Sequence, residues 1–146
     1  GGIPEVSRLE HFRYLDHTGD LGMEVYGDTP EELFEHAGEG FTHIITDPST
    51  VQASTELEIS VDAADMEQLL IEWLTELIYR FDAHGWLFRE YRIQSLDPGH
   101  LSGIARGERY NPTRHPIRTT VKGATYHQLQ VTRSGKGWKG RVIFDL

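Results

Sequence analysis

A single run of apolar residues at helical spacing constrains the fold of this chain more than any other feature. Between Met66 and Phe81 the apolar positions recur at i, i+3, i+4 and i+7 without a miss, and polar or charged residues take the other face. Asp62 can cap the start of this helix, and Gly85 suits the position just beyond its end. The pattern predicts an amphipathic helix that buries one face. Its apolar positions are Met66, Leu69, Leu70, Trp73, Leu74, Leu77, Ile78 and Phe81.

Another helix is predicted earlier in the chain. The segment from Thr29 to Glu32 is typical of a helix start, with a capping threonine, a proline at the first helical position and a glutamate that completes a capping box. Apolar residues then recur at helical spacing, and Pro48 ends the helix by Thr46 or Asp47.

Two other segments, residues 21–25 and 57–61, alternate apolar and polar residues with the period of a half-buried strand. Turn-forming residues at 97–99 and 134–137 separate the C-terminal segments. The predicted fold class is α+β, with two helices packed on one mixed, largely antiparallel β-sheet. Strands are predicted at residues 14–15, 21–25, 57–61, 86–96, 101–109, 117–122, 126–133 and 138–144.

Length and composition set the organisation of the chain. Its 146 residues are the size of one ordinary domain, and we expect a single domain over residues 11–146 after a flexible segment at residues 1–10. The chain has no cysteine, which excludes disulfides and thiolate metal sites and fits a reducing cytoplasm, the expected location. No apolar run reaches the roughly 18 residues of a membrane span, so no membrane partner is expected.

The charge balance narrows the choice of partners. Lys and Arg number 14 against 23 Asp and Glu, which gives a formal net charge of -9. A phosphate backbone repels such a surface, so direct, tight binding of RNA or DNA is disfavoured. The acidic balance suits a cation or a basic protein partner.

Two places concentrate carboxylates. The turn from Asp16 to Asp20 packs two aspartates and His17 around a glycine, and Asp20 leads into a strand, where it can serve as a hard-cation ligand. An Asx-turn with local hydrogen bonds is the alternative. At the other end, an apolar strand finishes in Asp145 and Leu146, whose two negative groups repel unless a cation or solvent lies between them. A frayed, solvated tail is the alternative there.

Two further places hold mixed polar groups. Glu108 and His115, with Arg114 beside them, could be a base and its orienting partner, metal ligands, or ion-paired loop residues. Lys122 lies beside a glycine turn and could meet a phosphate or a carboxylate, and His127 follows on the next strand. The eight histidines are scattered without dense zinc spacing, and no phosphate loop, dinucleotide fingerprint or nucleophile elbow is present.

Taken together, the motifs between Tyr14 and Leu146 resemble those of the archease family and occur in the same order. The family opens with an Asp-His-Thr-Ala-Asp turn and ends on a hydrophobic-Asp-hydrophobic tripeptide. The matching segments are Asp16-His17-Thr18-Gly19-Asp20, Leu21 to Gly27, Glu31-Glu32-Leu33-Phe34, Leu69 to Leu77, Gly107-Glu108 with Arg114-His115, Lys122 to His127, and Phe144-Asp145-Leu146.

The resemblance implies a function that spacing does not give. Archeases assist RtcB-type RNA ligases in tRNA splicing and RNA repair; they promote guanylylation of the ligase and sustain its multiple turnover. On this resemblance the chain is an accessory protein and not an enzyme. GTP is used by the ligase and is not bound here, and RNA is contacted only indirectly.

The family's site residues carry over to matching positions. Asp20 and Asp145 become ligands of a divalent cation, with an oxygen from Leu146, and the family's functional lysine becomes Lys122. Oxygen ligands favour calcium, and magnesium or manganese would also suit. Neighbours of this site, by the same resemblance, are His17, His115 and His127.

Three departures from the family pattern adjoin these residues. Gly19 and Gly123 stand where the family usually has alanine, and Asn111 stands where an aspartate is common. Both glycines loosen the backbone next to candidate site residues. The asparagine puts any role of that carboxylate in doubt.

Other functions predict different observations. A metal-dependent phosphoesterase would use Asp20, His17, His115 and Asp145, but a two-metal hydrolase needs a denser set of ligands than the chain offers. A general chaperone would expose a large apolar surface, which the regular amphipathic pattern does not supply.

Overall fold

A computed structural model describes residues 10–17 and 19–146, with the backbone alone for Asp16 and His17. Apart from Glu10, the predicted flexible segment lies outside these residues. In chain order the elements are β1 (Phe12–His17), β2 (Asp20–Gly27), α1 (Pro30–Ile45), a short 3-10 helix (Pro48–Thr50), β3 (Thr55–Asp62), α2 (Met66–His84), β4 (Trp86–Asp97), β5 (His100–Arg109), β6 (Gly123–Ser134) and β7 (Gly137–Asp145).

The strands of the described residues form two sheets. One has the order β1-β2-β7-β6 and the other the order β3-β5-β4, with antiparallel pairing throughout. The α+β class with two helices is confirmed, but the single mixed sheet is replaced by two antiparallel ones. The reason lies in the connections: α1 carries the chain from the first sheet to the second, and α2 joins β3 to β4, which run parallel but are separated by β5.

The strand predicted at residues 117–122 is wrong. No strand is present between residues 110 and 122, although β-branched residues are frequent there. The backbone of this loop bonds to the end of α1 instead: the Arg118 N–H donates to the Ile45 carbonyl at 2.9 Å, and the Thr46 hydroxyl donates to the Pro116 carbonyl at 2.6 Å. Tertiary contact with a helix end therefore replaces the predicted strand ladder.

Helix α2 starts at a different cap from the predicted one. Asp65, and not Asp62, is the N-cap, and its carboxylate accepts from the Gln68 N–H at 2.8 Å. Asp62 ends β3 instead and lies 2.6 Å from the His100 Nδ1. The predicted stop at Gly85 is confirmed, since this residue takes a left-handed φ of 74° that glycine adopts without strain.

The core lies where both helices meet the sheets. Leu33 and Phe34 of α1, Trp73 of α2, and Met23 and Phe144 of the first sheet are fully buried. The Trp73 indole N–H donates to the Phe34 carbonyl at 3.0 Å, which satisfies a buried donor and links the two helices. Neither helix of the described residues has the length and apolar character needed to cross a membrane.

The two aspartates before α2 give a stability test. Asp65→Ala is expected to lower the free energy of unfolding by about 1 kcal/mol, because the Gln68 N–H loses its cap. Asp62→Ala removes an exposed pair with His100 and is expected to cost less than about 0.5 kcal/mol. Urea unfolding of both variants measures the difference, and a larger loss in Asp62→Ala would contradict the assignment of the cap.

Candidate functional site

The predicted cation ligands lie in one row across the four-stranded sheet. Asp20 begins β2, Asp145 ends β7, and the antiparallel register sets these residues directly opposite each other. The row continues to His17 of β1, opposite Asp20, and to Gly123 of β6, opposite Asp145. The sheet thus brings together two carboxylates from opposite ends of the chain.

Both carboxylates belong to the same face of the sheet. Met23 and Val142, an opposed pair, are fully buried in the core. Because side chains alternate along a strand, Asp20 and Asp145, each an odd number of residues away, lie on the other face. Directly opposed residues have Cβ atoms roughly 4.5–5.5 Å apart, and like charges at this distance repel. Neither carboxylate has a hydrogen-bond or salt-bridge partner among the described side chains.

Another acid on this face differs from Asp20 and Asp145 because it has cationic partners. Glu24 of β2 lies 3.0 Å from the Lys139 Nζ and 3.4 Å from an Arg141 guanidinium nitrogen, both on β7. Burial opposes its ionisation, yet hydrogen bonds from Lys139 and Tyr26 and the charge of Arg141 hold the pKa of Glu24 below its ordinary value. The sheet therefore neutralises its central acid with protein cations, whereas no described side chain forms an ion pair with Asp20 or Asp145.

The turn before Asp20 has a conformation that favours glycine. His17 pairs with Asp20, so two residues connect β1 and β2, and Gly19 has a φ of 75°. A left-handed φ strains residues that carry a Cβ, which gives a structural reason for glycine at this departure from the family pattern. Thr18 and the side chains of Asp16 and His17 lie outside the described part, so the Asx-turn stays a prediction.

Strand pairing and a core contact hold the end of β7 in place. Asp145 pairs with β2 and with β6, and its carbonyl accepts from the Lys122 N–H at 2.8 Å. Leu146 is partly buried against the core, which anchors the chain beyond the last strand. These contacts differ from the frayed tail that was the alternative, and they fix the position of the Asp145 backbone.

Lys122 adjoins the carboxylate row, and His127 lies further along β6. Lys122 is exposed, and its ammonium group has no ion-pair partner among the described side chains. His127 is also exposed, within an irregular stretch between Thr125 and Gln130 where the register with β7 shifts. Gln128 in this stretch has a φ of 54°, which glycine or asparagine adopts more readily.

Glu108, Arg114 and His115 form a separate network. The His115 Nε2 lies 2.9 Å from one Glu108 oxygen, and the Arg114 guanidinium bonds to the other. The His115 Nδ1 accepts from the Asn111 N–H at 2.8 Å, so the proton of the neutral ring is on Nε2, which donates to Glu108. The ring is buried, and both nitrogens are engaged by protein groups. In this arrangement the ring offers no free nitrogen to a cation.

Backbone groups that the sequence did not reveal complete the network. The Gln52 N–H donates to Glu108 at 2.8 Å. This bond, then His115 and the charge of Arg114, hold the pKa of Glu108 below its ordinary value against the opposing effect of burial. The Asn111 side-chain oxygen accepts from the backbone N–H and the hydroxyl of Thr113, so it acts purely as an acceptor, a role that an asparagine amide performs as well as a carboxylate.

The network predicts a pH-dependent contribution to stability. Glu108→Gln is expected to lower the free energy of unfolding at neutral pH by about 1–3 kcal/mol, because an amide cannot accept from all three donors. The folded pKa of Glu108 is depressed, so this contribution is complete above the unfolded pKa and is lost as the pH falls through the folded pKa. Urea unfolding from neutral to acid pH should show the two proteins converging.

Glu56→Gln is the matched control, because Glu56 forms an exposed pair with Arg106 at 2.9 Å. Its effect is expected to stay below about 1 kcal/mol at every pH. A Glu108→Gln loss of the same size as the control would show that the network does not stabilise the fold.

Comparison with known proteins places the chain in a family. A family model described as the Archease protein family matches residues 12–146. Protein archease of Methanosarcina barkeri is 37% identical over 144 residues, which cover 96% of this chain and 99% of that protein. Protein archease of Methanopyrus kandleri is 36% identical over 135 residues, covering 90% and 96%. A solution structure of a Methanobacterium thermoautotrophicum protein superposes with a TM-score of 0.78 at 33% identity, covering 93% of this chain and 99% of that one. This chain belongs to the archease family.

Proposed function

We propose that this chain activates an RtcB-type RNA ligase in tRNA splicing and RNA repair, and that it has no catalytic activity of its own. In this proposal it promotes guanylylation of the ligase and sustains multiple turnover in the cytoplasm. The observation that carries the proposal is the direct opposition of Asp20 and Asp145 across β2 and β7. Membership of the archease family supports it.

The donor set suits a hard divalent cation. Two carboxylates without a partner among the described side chains lie opposite each other, and a main-chain oxygen of Leu146 is close by in sequence. Carboxylate and carbonyl oxygens are the ligands of calcium, and of magnesium or manganese, in proteins. When bound, the cation would supply the positive charge that cancels the repulsion between the two aspartates.

The residues of this chain would position an acidic face against the ligase. Pairing with β7 fixes Asp20, and the core contact of Leu146 fixes the strand end at Asp145. Lys122, whose N–H bonds to the Asp145 carbonyl, would place its ammonium group next to this face and contact a phosphate or a carboxylate of the complex. GTP and the covalent chemistry belong to the ligase.

The net charge of -9 fits a complex in which the ligase binds the RNA and this chain does not. An acidic surface repels an RNA backbone, so RNA is held by the ligase and reaches this chain only indirectly. The same charge favours approach to a basic protein surface at moderate ionic strength.

The carboxylate pair can be tested with isosteric substitutions. Asp20→Asn and Asp145→Asn are each expected to weaken calcium binding by roughly 100-fold, since loss of a direct ligand exceeds the 10–100-fold effect of losing an outer partner. Stimulation of ligase guanylylation should fall to the level without this protein. Calorimetry with calcium and a guanylylation assay with the cognate ligase measure the two effects.

Asp82→Asn is the control, because Asp82 is an exposed acid on α2, outside the carboxylate row. It should bind calcium and stimulate the ligase like the unaltered protein. Normal stimulation by Asp20→Asn and Asp145→Asn, with unchanged unfolding curves, would remove the proposed mechanism.

A substitution of Lys122 is expected to reduce ligase activation without reducing cation binding. Lys122→Met keeps the backbone bond to Asp145 but removes the ammonium group, so calcium affinity should change little while ligase stimulation drops at least several-fold. Lys136→Met, in the exposed turn before β7, is the matched control. Equal stimulation by the two variants would contradict a role for the Lys122 side chain at the partner.

A further inference from the structure

The fold gathers two imidazoles and a carboxylate at a place that no motif indicated. One ligand atom each from His11, His36 and Glu39 lies within 4.8 Å of the others. His36 and Glu39 are one helical turn apart on α1, and His11 immediately precedes β1. We propose that these three residues form a second metal site, which binds a borderline transition metal such as zinc.

The backbone of Tyr26 positions both histidines. Its N–H donates to the His11 carbonyl at 2.9 Å, and its own carbonyl lies 2.5 Å from the His36 Nδ1. A carbonyl oxygen only accepts, so the His36 Nδ1 carries a proton and the lone pair of the neutral ring is on Nε2. A backbone carbonyl on one ring nitrogen is the usual outer partner of a histidine that binds metal through the other.

The second imidazole lies face to face with the first. The rings of His11 and His36 are 3.6 Å apart at an interplanar angle of 7°, and the His11 Nδ1 is 2.8 Å from a Glu39 oxygen. A divalent cation would accept a lone pair from each neutral ring and from the carboxylate, and so would join the three groups at one point.

Rotation of one histidine side chain would complete the coordination. Zinc bonds of about 2.0–2.1 Å set tetrahedral ligand atoms roughly 3.3 Å apart, and the three atoms, now within 4.8 Å of one another, would approach that spacing as the ring turns. A metal must lie in the plane of each ring, so one of the stacked rings has to turn. The His11 side chain is 50% exposed and the Glu39 side chain 33%, which gives His11 room to turn and leaves the fourth position open to water.

The ligand types distinguish this site from the carboxylate row. Imidazole nitrogens suit zinc, cobalt, nickel and copper, whereas oxygen donors alone suit calcium and magnesium. The two sites are also apart: Asp20 begins β2, and Tyr26 is six residues further along, which is roughly 20 Å at the rise of a strand. Metal at the histidines would tie the start of β1 to α1 without involving the proposed ligase-activating face.

Cobalt and zinc titrations test the site. The full chain is titrated with excess calcium present, so that the carboxylate row does not compete, and binding is followed by calorimetry and by the visible bands of cobalt(II). We expect one equivalent of metal, with His ring resonances of His11 and His36 shifted in NMR spectra. His11→Ala, His36→Gln and Glu39→Gln should each weaken binding by at least tenfold.

The chain offers a matched control. His100 and Asp62 form an exposed histidine–carboxylate pair at 2.6 Å without a second imidazole, so His100→Gln should leave the affinity unchanged. Asp20→Asn should also leave it unchanged, which separates this proposal from the proposed function. His11→Ala changes an exposed side chain and is expected to fold normally. It therefore still tests the site if His36→Gln fails to fold. Binding that is undetectable, or that survives His11→Ala and Glu39→Gln, would overturn the proposal.

Discussion

The antiparallel pairing of β2 with β7 is the constraint on which the rest of the structure depends. These strands are the central pair of the four-stranded sheet, and they join the start of the described chain to its end. Their register is set by burial: Met23 faces Val142 in the core, and a slip of one residue would turn each apolar side chain towards solvent. The same register sets Asp20 opposite Asp145. The energetics of the core thus fix the geometry of the carboxylate pair.

Local sequence patterns predicted the two helices well, but they predicted the segments that flank the helices less well. The threonine cap at Thr29 and the glycine stop at Gly85 operate within a few residues, and both are confirmed, although the Glu32 carboxylate accepts from the Asp28 N–H and not from Thr29 as a capping box requires. Asp62 and Asp65 are both acceptable caps by residue type, and the choice depends on where β3 ends, which is decided by its pairing with β5. The loop that contains Arg118 was predicted as a strand, but its backbone bonds to a helix end, and local sequence does not identify such a partner.

The candidate site residues also divide into those that sequence can indicate and those that it cannot. Asp20, Asp145 and Lys122 were predicted as site residues because of the resemblance to the family motif, and spacing alone left each with a plausible local role. The bonds from Gln52 and Asn111 to the Glu108 network come from backbone N–H groups, which any residue other than proline could supply. No sequence pattern therefore predicts them.

The histidine cluster shows the limit of spacing most clearly. His36 and Glu39 have the i, i+3 relation of helical metal ligands, but two such residues are common on exposed helices and specify nothing alone. The third group, His11, reaches them because the backbone of Tyr26 bonds to both histidines.

Strand β2 therefore connects the two groups of donors. Its first residue contributes a carboxylate to an all-oxygen pair, and its penultimate residue orients two imidazoles through main-chain bonds. Hard cations prefer the former and borderline transition metals the latter, so donor chemistry can sort the ions even though one strand fixes both places. A substitution that shifts the register of β2 would disturb both, whereas a substitution of a donor side chain affects one. Measuring ion binding at both places therefore distinguishes a residue of β2 that maintains the register from a residue that binds an ion.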